Sequence, residues 1–253
     1  MNNTIIKIFS VYILAGIIAT FILYITSPFI DLFTNSKIVQ LSLSSILASL
    51  ISIRYGIRKL NIDILTLLKI KIRIKILKLI ILSTTTIISI MFISLPIYNI
   101  LSIQNTQEDI LNLFYYSIIG QISYIFIFPI LEEILFRGLL LPLLLKEYSI
   151  TKSIIIISLL FGLVHSGVGI DSFFNTTIIS IVISYLYVST KSVIPCIITH
   201  ILNNSFVYLL DYVDQRYITI SPTIGWIFIP ILLISIYYLR QNIKTASTNT
   251  TPY

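Results

Sequence analysis

The stretch that decides the fold is residues 113–145, which read LFYYSIIGQISYIFIFPILEEILFRGLLLPLLL. It is long enough to cross a lipid bilayer, which takes about 20 apolar residues. It nevertheless contains Glu132, Glu133 and Arg137. A charged side chain costs about 2.5–3.5 kcal/mol at the centre of a bilayer on insertion scales. Charges in such a place indicate a functional site inside a membrane-spanning helix.

The whole chain has the composition of a membrane protein. Of its 253 residues, 57% are hydrophobic and only 11% are charged, whereas a soluble domain carries about 25% charged residues. The mean hydropathy is +0.99. These values exclude soluble, disordered, fibrous and nucleic-acid-binding classes, so membrane lipid is the expected partner. A single cysteine, Cys196, excludes an internal disulfide.

Eight stretches of the chain are apolar enough to be membrane spans. They lie at about 8–30, 38–53, 77–100, 113–145, 153–170, 173–190, 192–210 and 222–239. We therefore expect an all-α polytopic membrane protein with a single transmembrane domain over residues 1–240. A polar, disordered cytoplasmic tail is expected at 241–253. The fourth span is so long that it must tilt, break or extend past the membrane face.

The placement of Lys and Arg predicts the orientation, because cytoplasmic loops retain these residues. The segment after the second span is the most basic part of the chain, so it must lie inside. Strict alternation then leaves Lys37 and Arg216 outside and Arg137 within a span, and the other fourteen of the 17 basic residues lie inside. Both termini are expected in the cytoplasm. Topology and anionic lipid thus explain the net charge of +7, and the short, isoleucine-rich chain suggests a bacterial cell membrane.

Three spans bring polar side chains to a similar depth. Glu132, His165 and Asn204 each lie 13 or 14 residues from the nearest cytoplasmic cation, which is about 20 Å at 1.5 Å per residue. His200 lies one turn before Asn204 and shares its helix face. We therefore expect a carboxylate, an imidazole and a His/Asn pair to meet toward the middle of the membrane.

Spacing within the helices predicts further contacts. Glu133 and Arg137 are four residues apart, so they share a face and can form an ion pair. Glu132 is turned about 100° away and is free to face a cavity. Phe161 and His165 have the same spacing as the ion pair, so the aromatic ring can pack against the imidazole.

Such a set of side chains is suited to activating water. A desolvated carboxylate can act as a general base, and a neutral imidazole can share and orient the same water. Paired His and Asn donors can stabilise the oxyanion of a tetrahedral intermediate. These are the parts needed for peptide-bond hydrolysis without a covalent intermediate.

Three motifs follow one another along the region of about residues 113–210: Glu132-Glu133-x-x-x-Arg137, Phe161-x-x-x-His165 and His200-x-x-x-Asn204. They resemble the motifs of the CPBP intramembrane proteases, the Abi or type II CAAX prenyl endopeptidase-like family. This family includes bacteriocin-processing and self-immunity proteins. The resemblance implies an eight-helix membrane fold with a conical cavity open to the cytoplasm. It also implies that Glu132 and His165 activate water and that His200 and Asn204 form the oxyanion site.

We therefore expect an intramembrane endopeptidase that cleaves a hydrophobic or membrane-tethered peptide. The main mechanistic alternative is a zinc ion bound by Glu132, His165 and His200. We favour a reaction without a metal or other cofactor, since the chain lacks an H-E-x-x-H pattern. Two other functions remain open: a non-catalytic protein for bacteriocin self-immunity or for scaffolding an envelope enzyme, and a transporter with Glu132 as proton relay.

Overall fold

A computed structural model of the chain describes residues 3–30, 36–62, 68, 74–100, 118–166, 169–216 and 222–247. These residues form helices and short connections and contain no β-strand, which confirms the predicted all-α class. A 3₁₀ turn at Pro222–Ile227 leads into the last helix. In chain order the helices are α1 (Asn3–Ile30), α2 (Ser36–Leu60), α3 (Ile74–Ile100), α4 (118–147), α5 (Ile150–His165), α6 (Ile170–Thr190), α7 (Val193–Arg216) and α8 (Phe228–Ser247).

The surface of the described helices has the character of a membrane protein. Large apolar side chains point outward, and Leu14, Ile17 and Phe21 of α1 are each more than half exposed. Many serines and threonines are buried instead, as expected where small residues let helices approach closely in lipid. Four stretches in the described part of the chain are long and apolar enough to cross a membrane: Ile74–Ser94, Ile170–Thr190, Val193–Leu210 and Ile224–Gln241.

The eight helices correspond to the eight predicted spans, with corrected boundaries. α2 continues to Leu60 instead of ending near residue 53, and Arg58 and Lys59 lie in its last turn, where the helix dipole favours cations. α8 continues to Ser247, so the first part of the predicted tail is helical. Extending an existing helix is much easier than starting one. Residues 113–117 and 248–253 lie outside the described residues.

The long fourth span neither ends nor breaks but widens at two places. α4 contains two π-helical segments, Ser123–Ile127 and Ile134–Leu140, joined to α-helical segments without a gap. A π-helical turn holds more residues than an α-helical turn and often occurs at functional sites. Glu132 and Glu133 lie between the two segments, and Arg137 lies inside the second.

α4 contacts α2, α5 and α7, and its second half forms the main apolar core. Leu135, Phe136 and Leu139 are fully buried there. α5 packs along α6 at Gly162, where a Cβ atom would collide with the Thr177 hydroxyl. This close approach holds the end of α5, and therefore His165, against α6.

Candidate active site

Two imidazoles from different helices face one carboxylate of α4. Nε2 of His165 lies 3.9 Å from Oε1 of Glu132, and Nε2 of His200 lies 3.9 Å from Oε2. Both separations exceed hydrogen-bond length, and polar groups at such distances are commonly bridged by water. The structure therefore brings together the acid and the two histidines that the sequence analysis selected.

The tautomer of His165 follows from its partner. Nδ1 lies 2.8 Å from the backbone oxygen of Phe161, and because a carbonyl oxygen can only accept, Nδ1 carries the hydrogen. In the neutral ring, Nε2 is then a proton acceptor directed at Glu132. The ring of Phe161 packs against the imidazole with 4.5 Å between ring centres, as the spacing predicted.

His200 is held by the carboxylate of Glu133, the residue that follows Glu132. Its Nδ1 donates to Oε1 of Glu133 at 2.8 Å, and Arg137 donates to the same oxygen at 3.0 Å. The ion pair of Glu133 and Arg137 was predicted from their spacing, whereas the contact with His200 was not. It requires a particular rotation of α7 against α4, for which the sequence carries no signal.

This contact adds a condition to the predicted oxyanion role of His200. A neutral ring with its hydrogen on Nδ1 has an acceptor at Nε2, so it cannot donate to an oxyanion. Only the imidazolium, with hydrogens on both nitrogens, can do so. In either form the Nδ1 hydrogen is donated to the Glu133 carboxylate.

Asn204 is oriented by a backbone group of α4. Its Nδ2 donates to the backbone oxygen of Tyr124 at 2.9 Å, and Tyr124 lies inside the first π-helical segment. Asn203 donates from Nδ2 to Oδ1 of Asn204 at 3.1 Å. These bonds leave the second N–H of the Asn204 amide for a ligand. Sequence reasoning missed Tyr124, because the sequence does not reveal where a helix widens.

A cavity of about 340 Å³ joins these groups, and Glu132, His165, His200 and Asn204 all line it. Its polar lining also includes Ser172, Asn175 and Thr176, one turn of α6 that the sequence analysis did not select. An apolar groove of about 620 Å³ between α1, α2 and α5 adjoins the cavity. The two spaces share three lining residues: Tyr12, Ser45 and Val164.

The alternative zinc site would use Glu132 and the two Nε2 atoms. Among the described residues, no group of three or more His, Cys, Asp or Glu side chains is arranged to hold a metal ion. The 3.9 Å separations are consistent with a space suited to water. A reaction without a metal stays a prediction, which measurement of the metal content of the purified protein would test.

The fold defines an all-α polytopic membrane protein. Residues 113–206 match the model of the type II CAAX prenyl endopeptidase Rce1-like family. The chain is also 28% identical over 107 residues to a protein of Bacillus subtilis (strain 168) named "Putative membrane peptidase YdiL". These similarities lie in the region that carries the three motifs and support its predicted resemblance to the CPBP family.

The similarity to the Bacillus protein covers 40% of this chain and 43% of that protein, so less than half of its length is matched. No solved structure matches the chain at comparable significance.

Proposed function

We propose that this chain is an intramembrane endopeptidase that hydrolyses a peptide bond in a hydrophobic or membrane-tethered peptide. The observation that carries the proposal is the convergence of the Glu132 carboxylate and Nε2 of both His165 and His200 on one space. A water molecule there can donate its hydrogens to the Glu132 carboxylate and to Nε2 of His165, which orients its oxygen toward a substrate carbonyl. The family match to a CAAX-type endopeptidase supports the same reaction.

The reaction begins when Glu132 takes a proton from the water that His165 orients. The water oxygen attacks the carbonyl carbon, and the carbonyl electron pair moves onto the oxygen. Asn204 and the protonated His200 donate hydrogen bonds to this oxyanion. When the intermediate collapses, the carbon–nitrogen bond breaks and Glu132 returns its proton to the leaving nitrogen. The products are a carboxylic acid and an amine, so atoms and charges balance.

The apolar groove supports a hydrophobic substrate. It adjoins the cavity through Tyr12 and is lined by Ile13, Ile17 and Phe21 of α1. An apolar side chain or a lipid attached to the peptide can occupy the groove while the scissile bond lies beside Glu132. We further propose that both termini lie in the cytoplasm of a bacterial cell and that the peptide is cleaved near the cytoplasmic half of the membrane.

The proposal is tested with purified protein in liposomes. The probes are a farnesylated CAAX-type peptide and the same hydrophobic peptide without the lipid, and the products are identified by mass spectrometry. Glu132→Gln keeps the shape but cannot accept the proton, so cleavage falls by about 10²–10⁴-fold. Glu147→Gln makes the same change at an exposed position at the end of α4 and leaves the rate unchanged.

Two results would contradict the proposal. One is a Glu132→Gln variant as active as the wild type. The other is a well-folded wild-type protein that cleaves neither peptide, which would favour a non-catalytic role in immunity or scaffolding.

A further inference from the structure

Arg137 makes a second set of contacts that lies outside all three motifs. Its Nη2 donates to the backbone oxygen of Ser180 at 3.0 Å and to the Ser180 hydroxyl oxygen at 2.7 Å. Ser180 lies on α6, and its side chain is fully buried. α6 therefore provides acceptors for Nη2 of the guanidinium, while Glu133 provides the acceptor for Nη1.

These contacts connect Ser180 to His200 through two buried charged groups. Nη1 of Arg137 lies 3.0 Å from Oε1 of Glu133, and that same oxygen accepts the hydrogen of His200 Nδ1 at 2.8 Å. The guanidinium is planar and its donors have fixed directions. Holding Nη2 therefore also sets the direction from which Nη1 meets Glu133.

We propose that Ser180 is a positioning residue that keeps the His200 ring with its Nδ1 hydrogen on Glu133 and with Nε2 facing Glu132. Without the hydroxyl, Nη2 retains only the backbone oxygen of Ser180, so the guanidinium is held less firmly. Oε1 of Glu133 is then held less tightly at its place between Arg137 and His200. The importance of Ser180 for peptide cleavage rests on the proposed function, whereas its effect on the ring does not.

The state of the ring can be measured directly. The chain has two histidines, so protein labelled with ¹⁵N-histidine gives signals from two rings only. Solid-state NMR of the labelled protein in liposomes, at a single pH, reports which ring nitrogen carries hydrogen. The variant His165→Gln identifies the signals of His200. In the wild type we expect hydrogen on Nδ1 of His200.

Two variants on α6 test the role of Ser180. In Ser180→Ala we expect a second population of His200 with a bare Nδ1 and hydrogen on Nε2. Ser184→Ala is the matched control, because Ser184 is buried one turn further along α6. Its hydroxyl has no hydrogen-bond partner among the described residues. This control keeps the wild-type signals.

Peptide cleavage provides the second readout. We expect Ser180→Ala to lower kcat by about tenfold, which is within the range that a small misplacement of a reacting group costs. We expect KM to stay within about twofold of the wild-type value. The proposal is overturned if Ser180→Ala keeps the wild-type His200 signals, or if Ser184→Ala changes them equally. If the signals change as expected but the wild type cleaves neither peptide, the positioning role stands and the proposed function fails.

Discussion

Replacing Glu133 by glutamine removes the negative charge that faces the buried guanidinium of Arg137. Both side chains are completely buried, and 3.0 Å separates the carboxylate oxygen from the guanidinium nitrogen. After the substitution the Arg137 charge keeps only neutral acceptors, the two oxygens of Ser180 and one amide oxygen. The positive charge then remains buried without a counter-charge.

The size of the effect follows from this burial. Removing one partner of a buried ion pair costs about 3–5 kcal/mol, because it leaves the other charge uncompensated. Glutamine keeps one acceptor, so we expect a loss near 3 kcal/mol, which lowers the folded-to-unfolded ratio by about a hundredfold. The double variant Glu133→Gln, Arg137→Met has no buried charge at this pair and regains part of the loss.

The assay is reversible unfolding by SDS in bicelles, followed by the fluorescence of Trp226, the single tryptophan of the chain. Glu147→Gln serves as control, because substitution of an exposed charge changes the free energy of unfolding by no more than about 0.5 kcal/mol. A loss below about 1 kcal/mol in Glu133→Gln would refute the reasoning. A double variant no more stable than the single one would refute it as well.

Three further predictions concern packing, the oxyanion site and orientation. Gly162→Ala forces α5 away from α6, so we expect the free energy of unfolding in SDS to fall by about 1–3 kcal/mol and cleavage to slow. Gly16→Ala is the control, because its Cβ would lie at an ordinary 3.7 Å from the nearest side chain, and it should not destabilise the protein. Asn204→Ala leaves the Tyr124 oxygen without this donor and cleaves peptide about 10²–10³-fold more slowly, and unchanged kcat would contradict its role. Lys152→Cys should react with an impermeant thiol reagent only from the cytoplasmic side, because this end of α5 is predicted to face the cytoplasm. The natural cysteine, Cys196, is buried and should not react.

Much of the helical architecture was predictable because the membrane imposes a simple local rule. In lipid every backbone polar group must be bonded within the chain, so each long apolar stretch becomes a helix. The order and approximate positions of the eight helices therefore follow from hydropathy. The ends of α2 and α8 did not, because helices continue past the apolar stretch into residues such as Arg58 and Lys244.

The choice of site residues was predictable for a related reason. A charged or imidazole side chain inside an apolar helix is energetically costly, so the few that occur are candidate functional residues. Glu132, His165 and His200 could be selected on this ground, and the similar predicted depth of Glu132, His165 and Asn204 supported the choice. The ion pair of Glu133 with Arg137 followed from helix periodicity alone.

The sequence by itself thus determined the class of fold, the order of the helices and the side chains that meet around one cavity. Only the tertiary structure decided that Glu133 holds Nδ1 of His200, that Ser180 holds Arg137 and that the Tyr124 oxygen receives Asn204. The physical reason is that these contacts depend on how each helix is rotated against its neighbours and on where α4 widens into π-helical turns. Periodicity along one helix does not encode either property.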